Sequence, residues 1–329
     1  MSEQGLQVYN NDETRLTSEK IVEMIELVTD GLTSPHTIRA YEQALKEFLT
    51  WYIDNNKPGL TKAVVNEYKA HLLKSEKQYS TATINQKLSA IRKLAQEASD
   101  NAYINEQHAN GISRVTGIKK RGVRSGNWLT QEQTEKLLNT PEVSTLQGKR
   151  DRAILALLIF CWLRRSEMAK LTMEHIQQRE GRWVIVDMIG KGNRTRTITV
   201  HPTAKYLLDD WTQAVGITSG LLFRAINKWD NLAGERDIRK DKKADGFLTD
   251  QAIADMVKKY GAKCGFPKLA PHDLRRTGAR LAYDAGGSIE QIQLQLGHAN
   301  LKTTQDYLNI KLDYRDAPGD KIRLKIKMI

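Results

Sequence analysis

Two cysteines in 329 residues, Cys161 and Cys264, are too few for a disulfide framework and stand at no spacing that binds zinc. Such sparing use of cysteine fits a reducing, cytoplasmic setting. No apolar run approaches the ~18 residues that a membrane span requires, and the mean hydropathy is −0.54. Met1 to Asn11 is polar and lacks the apolar stretch of a secretory signal, so secretion is not expected. No carboxylate cluster or Cys/His spacing points to a catalytic metal, and neither metal nor cofactor is expected. Internal repeats and low-complexity tracts are also missing.

What is present is the composition of a folded chain, 40% hydrophobic and 27% charged. The length favours two domains over one. Charge is the first functional signal. The net charge is +12 and the isoelectric point about 9.5. It is unevenly spread: residues 1–118 hold 13 basic against 15 acidic side chains, whereas residues 119–329 hold 38 against 24. A basic surplus on that scale suits an anionic polymer as partner; a basic but ordinary enzyme is the alternative.

Residues 1–30 are acidic with one weak helical pattern through Ile21, Met24, Ile25, Leu27 and Val28. Ser34-Pro35 then reads as an N-cap followed by proline at the first helical position. Ile38, Tyr41, Leu45, Phe48, Leu49, Tyr52 and Ile53 recur at three- and four-residue spacing behind it. Further helices are expected over Lys62–Lys74 and after Ser80, giving a bundle over about 34–116. Lys119, Lys120, Arg121 and Arg124 lie in a basic, glycine-containing stretch that reads as an interdomain linker over 119–127.

The second domain opens on the capping box Thr130-x-x-Gln133. Ile154 to Leu163 is almost wholly apolar and predicts a buried helix. The one clear β signal is a hairpin: Trp183–Val186 and Thr195–Val200 flank the turn Gly190-Lys191-Gly192-Asn193. Helices are expected again near Thr203–Ala214, Thr249–Cys264, Leu274–Asp284 and Ser288–Leu296. Charged, aperiodic Asn227–Gly246 reads as a mobile surface insertion. After Tyr307, residues 321–328 alternate basic and apolar side chains, the pattern of a strand with one apolar face.

Five islands carry chemistry: Leu163-Arg164-Arg165-Ser166-Glu167, the Gly190–Asn193 turn, His272-Asp273-Leu274-Arg275-Arg276-Thr277, Leu296-Gly297-His298, and Thr303-Thr304-Gln305-Asp306-Tyr307, whose tyrosine stands nine residues after His298. Two arginines can grip one phosphate with charge-assisted forks. Lysine at a hairpin tip can reach a leaving oxygen, and histidines can move protons near neutral pH. A phenol attacks phosphorus only when its proton is taken and its charge balanced, services that neighbouring Arg and His provide. Each island alone has an ordinary structural explanation: a helix-end histidine, a core tyrosine, a solvated lysine.

Together and in this order, the islands resemble the tyrosine recombinase, or phage integrase, family. The segment Ser80-x-x-Thr83-Ile84-x-x-x-Leu88-Ser89-x-Ile91-Arg92 also resembles that family's DNA-facing core-binding helix. The likeness extends over about residues 32–310. It implies a mainly α fold with a small antiparallel sheet: an N-terminal extension (1–31), a helical core-binding domain (32–118), the basic linker, a mixed α/β catalytic domain (128–310) and a tail (311–329). It implies Tyr307 as nucleophile forming a 3′-phosphotyrosyl bond. Arg164 and Arg275 would hold the phosphate oxygens, Lys191 would protonate the leaving oxygen, His272 would assist proton transfer, and His298 would hydrogen-bond the phosphate. Glu167 would support them. Double-stranded DNA with a specific site would be the partner, worked on by a homotetramer whose C-terminal tails pair in cis or in trans. Lys87, Arg92 and the linker bases are the candidate DNA contacts. The chain is too short before Ser34 for an extra arm-binding domain, which points to the simple Xer-like or Cre-like type.

Three features depart from the family pattern: Trp162 where glycine is common, Arg165 where an apolar residue is usual, and Gly278 where a bulky one is. The competing readings are a type IB topoisomerase-like enzyme, which shares the phosphotyrosine chemistry, and a DNA-binding protein on the same scaffold without catalysis.

Overall fold

A computed structural model describes residues 18–119, 128–189, 195–233 and 246–310. The chain divides into two compact units, Met1–Gly122 and Val123–Ile329.

The first unit is helical: α1 (Ser18–Asp30), α2 (Pro35–Asp54), α3 (Lys62–Lys74), α4 (Thr81–Asp100) and α5 (Glu106–Ser113). Its helix starts follow from local chemistry. The Ser34, Thr61, Ser80 and Asn105 side chains each accept a hydrogen bond from a first-turn amide of the helix they precede. The three-and-four spacing puts Leu45, Phe48 and Leu49 on the inner face of α2, as the sequence predicts. Helix α4 is the hub, packed against α1, α2, α3 and α5, with Leu88, Ile91 and Leu94 fully buried. Asn85 on α4 donates to and accepts from the backbone of Ile118, pinning the chain where it leaves the bundle.

The second unit contains α6 (Gln131–Leu138), α7 (Leu146–Phe160), α8 (Arg165–Met168), then strands β1 (Ile176–Arg179), β2 (Arg182–Ile189) and β3 (Thr195–Thr199). It continues with α9 (Pro202–Val215), α10 (Asp250–Lys263), α11 (Pro271–Asp284), α12 (Ile289–Leu296) and α13 (Leu301–Leu308). The capping box at Thr130 and Gln133 forms as read. Helix α7 is buried nearly all round because α9 and α11 pack on it. It ends three residues earlier than the apolar run Ile154–Leu163 predicts. Trp162 adopts a left-handed backbone, φ 53°, which no α-helix tolerates.

The sheet is an antiparallel meander in the order β1-β2-β3. The hairpin strands β2 and β3 match the sequence reading. Strand β1 was not legible, since Ile-Gln-Gln-Arg has a single apolar residue. It is set by the turn Glu180-Gly181, both at positive φ, which reverses the chain directly into β2. Between the pairs Ile185↔Ile198 and Met188↔Arg196 the register shifts, because β2 carries an extra residue there. Asp187, at φ 56°, takes up that bulge.

The Asn227–Gly246 segment is less free in its described part than its composition predicts. Asp230 accepts from the amides of Leu146 and Gln147 at 2.7 and 2.9 Å, covering the exposed donors at the start of α7. Residues 120–127, 190–194, 234–245 and 311–329 lie outside the described residues. Lys120, Arg121, Arg124, Lys191 and the expected strand 321–328 are therefore among them.

Candidate active site

The end of α7 begins the site. The left-handed turn at Trp162 delivers Arg164 to the N-cap of α8, and the amide of Arg164 donates to Glu167 Oε2 at 2.8 Å. The Arg164 guanidinium donates to Oε1 of the same carboxylate at 2.7 Å. Burial alone would raise the Glu167 pKa, but hydrogen bonds from Arg196 and Arg164 outweigh it and hold the carboxyl below its ordinary value.

Arg275 rises from the second turn of α11 and is only 2% exposed. One guanidinium nitrogen donates to the carbonyl of Trp162 and the other to the carbonyl of Leu296. The guanidinium thus joins the α7 terminus to the end of α12. Burial, and then the charge of Arg164, bring its pKa down to about 10, so it stays charged at neutral pH. Asp273, two residues earlier, caps α11 by accepting from the amide of Ala270. A pocket of about 350 Å³ opens here, lined by Arg164, Arg165, Ser166, Pro271, His272 and Arg275 among others. Two arginines from elements more than a hundred residues apart in sequence therefore face one cavity of the size a phosphate and its neighbours need.

Tyr307 sits in the last turn of α13. The edges of two imidazoles flank its ring, with His272 and His298 centroids at 5.4 and 5.3 Å and near-perpendicular planes. Arg276 lies over the ring at 5.0 Å and also donates to the Tyr307 carbonyl at 3.1 Å. Arg280 does the same for the Leu308 carbonyl at 2.9 Å. These two arginines of α11 satisfy the open carbonyls at the end of α13 and so tie the tyrosine to the helix that carries Arg275.

The phenol oxygen is buried beside the Arg275 guanidinium. Desolvation raises its pKa, partly offset by the charges of Arg275 and Arg276, so the group rests as a neutral phenol. Desolvation and then Arg275 and Arg276 lower the His272 pKa. Desolvation and then Arg275 and Arg164 bring His298 down to about 4. Both imidazoles are thus neutral at neutral pH. The Nδ1 atom of His298 bonds fully buried Thr304 at 3.0 Å, which fixes the ring and leaves Nε2 for a ligand.

Five of the six residues singled out from the sequence are described: Arg164, His272, Arg275, His298 and Tyr307. They belong to the second unit, and hydrogen bonds and ring contacts link their surroundings. The strands on either side of Lys191 are in place, though the lysine lies outside the described residues. The sequence reading missed Arg196 and the role of Trp162, and it gave no separate role to Arg276 or Thr304, which two of its islands contain. Arg196 had a signal: alternation along β3 puts it on the same face as buried Ile198, where an unpaired charge is costly. Arg276 was overlooked because it adjoins the motif arginine.

The candidate DNA contacts on the first unit differ in what they already hold. Lys87 is 5% exposed, ion-paired with Glu47 at 2.5 Å and set over the ring of Tyr79. Its charge is already paired inside the bundle. Arg92 donates to the Val115 carbonyl at 2.5 Å, so its guanidinium braces the segment after α5. Lys119 is exposed.

The paired arginines also separate. Arg165 is half exposed and bridged to Asp250 at 3.2 Å, whereas Arg164 is held on buried Glu167. An exposed pair of this kind contributes little. Arg164→Ala is expected to slow strand cleavage at least about 100-fold, the scale of losing one oxyanion donor, and Arg165→Ala by less than about tenfold. Single-turnover rates of the two variants give the comparison; the reverse order would reassign the phosphate-holding role.

The chain is similar to known proteins along most of its length. The model of the phage integrase family matches residues 127–312, and that of the phage integrase N-terminal SAM-like domain matches residues 25–101. The tyrosine recombinase XerA of Thermococcus kodakarensis is 30% identical over 296 residues, covering 90% of this chain and 92% of that protein. The tyrosine recombinase XerD of Haemophilus influenzae is 29% identical over 281 residues, 84% of this chain and 88% of the other. Among solved structures, the XerH site-specific recombinase in a post-cleavage complex with palindromic difH substrate has a TM-score of 0.65 at 20% identity, covering 92% of this chain and 83% of that one. A lambda integrase dimer bound to a COC′ core site scores 0.64 at 16% identity, covering 95% of this chain and 100% of that one. These two show a shared fold. With a family model over more than half its length and a relative matched along nine-tenths of both sequences, the chain belongs to the phage integrase family of tyrosine recombinases.

Proposed function

We infer that this protein is a site-specific DNA recombinase that cuts and rejoins strands through a covalent bond between Tyr307 and the 3′-phosphate. The observation that carries the reading is the meeting of a buried phenol, two neutral imidazoles and the guanidiniums of Arg275 and Arg276 in one site. Recombinase names among the relatives favour strand exchange over supercoil relaxation.

The chemistry then follows from the residues. The phenol oxygen attacks phosphorus, and its proton passes to His272, which is neutral and able to accept it. Negative charge growing on the non-bridging oxygens is met by Arg164 and Arg275, with His298 as a neutral donor. The bond to the 5′-oxygen breaks, and that oxygen takes a proton from Lys191, the role the family resemblance gives it. In the reverse step a 5′-hydroxyl attacks the phosphotyrosine and frees the phenol. One phosphoester replaces another at each step, so no nucleotide is hydrolysed.

The finer picture belongs to the same proposal: four protomers on two DNA sites, with C-terminal tails pairing in cis or between protomers, as part of a mobile element. A cytoplasmic location follows from the DNA substrate. Among the described residues no helix is long and apolar enough to cross a membrane.

Adduct capture tests the reading. The protein is incubated with fragmented genomic DNA from its source and denatured in detergent, and the protein-bound fragments are sequenced. Protease digestion followed by mass spectrometry then locates the modified peptide. The expected result is one shared sequence, linked to the peptide containing Tyr307. Salt-sensitive binding with no adduct would overturn the reading in favour of a protein that only binds DNA.

A further inference from the structure

We propose that Arg196 is a positioning residue for strand cleavage: by forking onto Glu167 it neutralises that carboxylate and leaves the charge of Arg164 available to the scissile phosphate. The inference rests on the recombinase reading above and concerns a residue that none of the five islands contains.

Its two terminal nitrogens each meet one oxygen of Glu167 at 2.9 Å, the parallel geometry of a bidentate pair. Both partners are buried, with side chains 8% and 5% exposed. The third donor, Nε, is used as well, on the Gln295 carbonyl at 3.2 Å. The backbone beyond that carbonyl leads through Gly297 to His298. Gly297 packs on the same side chain: a Cβ there would stand 2.8 Å from Arg196 Cδ. Arg196 is not among the residues that line the cavity. It acts through the groups it touches.

Charge bookkeeping identifies the route. Glu167 is one carboxylate between two guanidiniums, since Arg164 donates to the Oε1 atom that Arg196 also uses. The trio carries one net positive charge, and the exposed member of it is Arg164, 31% exposed and on the pocket wall. Without Arg196, Arg164 would be the buried carboxylate's only cation among the described residues. The pair would be neutral, and the incoming phosphate would compete with Glu167 for the same guanidinium. A carboxylate this close to a phosphate site is tolerable only when it is already satisfied.

A purely structural role would make Arg196 a brace between β3 and α12. The two roles separate in a double variant. The probe is a synthetic duplex bearing the sequence recovered by adduct capture, with single-turnover adduct formation and DNA affinity measured on the full chain. Arg196→Met is expected to slow adduct formation about 10- to 100-fold, the range for losing a group that orients a direct ligand, with affinity within about threefold. Arg196→Lys should retain most of the rate, because an ammonium still neutralises Glu167. Adding Glu167→Gln to Arg196→Met should recover much of the loss, because the competing charge is gone. A double variant no faster than Arg196→Met would overturn the proposal, as would a wild-type rate for Arg196→Met. In both cases wild-type adducts would leave the recombinase reading standing. Absence of adduct from the wild-type protein on this duplex would instead bring down the reading and the inference with it.

Discussion

Tyr307→Phe is expected to eliminate the covalent DNA adduct while leaving the fold and the affinity for DNA in place. The loss should exceed about 10⁴-fold, since removing a nucleophile costs nearly as much as removing the whole set that serves it. The structural argument is that the ring has reasons to stay where it is without its hydroxyl. Both imidazole edges and the Arg276 guanidinium address the ring, and Arg276 and Arg280 hold the backbone carbonyls of Tyr307 and Leu308. The hydroxyl itself is buried beside the Arg275 guanidinium, which keeps its bonds to the Trp162 and Leu296 carbonyls when the hydroxyl is gone. Its removal should therefore cost no more than about 1 kcal/mol of stability, the net worth of one hydrogen bond. Detergent-resistant adducts on a denaturing gel, thermal melts and a DNA titration measure the three quantities. Adduct surviving at a tenth of the wild-type yield would mean that another residue attacks.

That asymmetry between ring and hydroxyl illustrates what could be read in advance. The motif residues were legible because each stands in a short pattern whose spacing has a reason: Arg164 at a helix start, Arg275 one helical step from His272, Tyr307 on a helix after the His298 turn. The bundle of the first unit was legible from three-and-four spacing and from caps at Ser34 and Ser80, which all form. What was not legible depends on contacts between segments far apart in sequence. Lys87 reads as a surface lysine until Glu47, forty positions earlier, is placed beside it. Strand β1 owes its existence to a turn and a partner, not to its own residues. Arg196 acquires meaning only when β3 is folded against α8. Even the family pattern left Trp162 and Gly278 as unrelated oddities, and their explanation is a single contact.

Gly278→Ala is the substitution for which sequence and structure predict opposite signs. In the middle of a helix, alanine is normally better than glycine by about 1 kcal/mol, and Gly278 lies inside α11. Here a Cβ would fall 1.8 Å from the carbonyl oxygen of Ile159 and 2.5 Å from the indole nitrogen of Trp162. The first of these atoms is backbone of α7 and cannot rotate aside. Helix α11 approaches α7 so closely that only a hydrogen fits at position 278. The left-handed conformation of Trp162, which costs a residue of that size about 1–2 kcal/mol, turns its carbonyl to Arg275 while its indole covers Gly278. The two departures from the family pattern are therefore one arrangement, a bulky residue at 162 matched by an absent side chain at 278. Alanine must push α11 away from α7, and Arg275 would move with it. The expected outcome is a loss of about 3 kcal/mol or more in urea unfolding, the upper range for overpacking a core. Cleavage should fall further than that loss explains, measured on protein that remains folded. Trp162→Gly added to Gly278→Ala removes the indole but not the Ile159 carbonyl, so the double variant should stay unstable. Recovery of wild-type stability in the double variant would locate the conflict in the side chain alone and refute the close approach of the two helices.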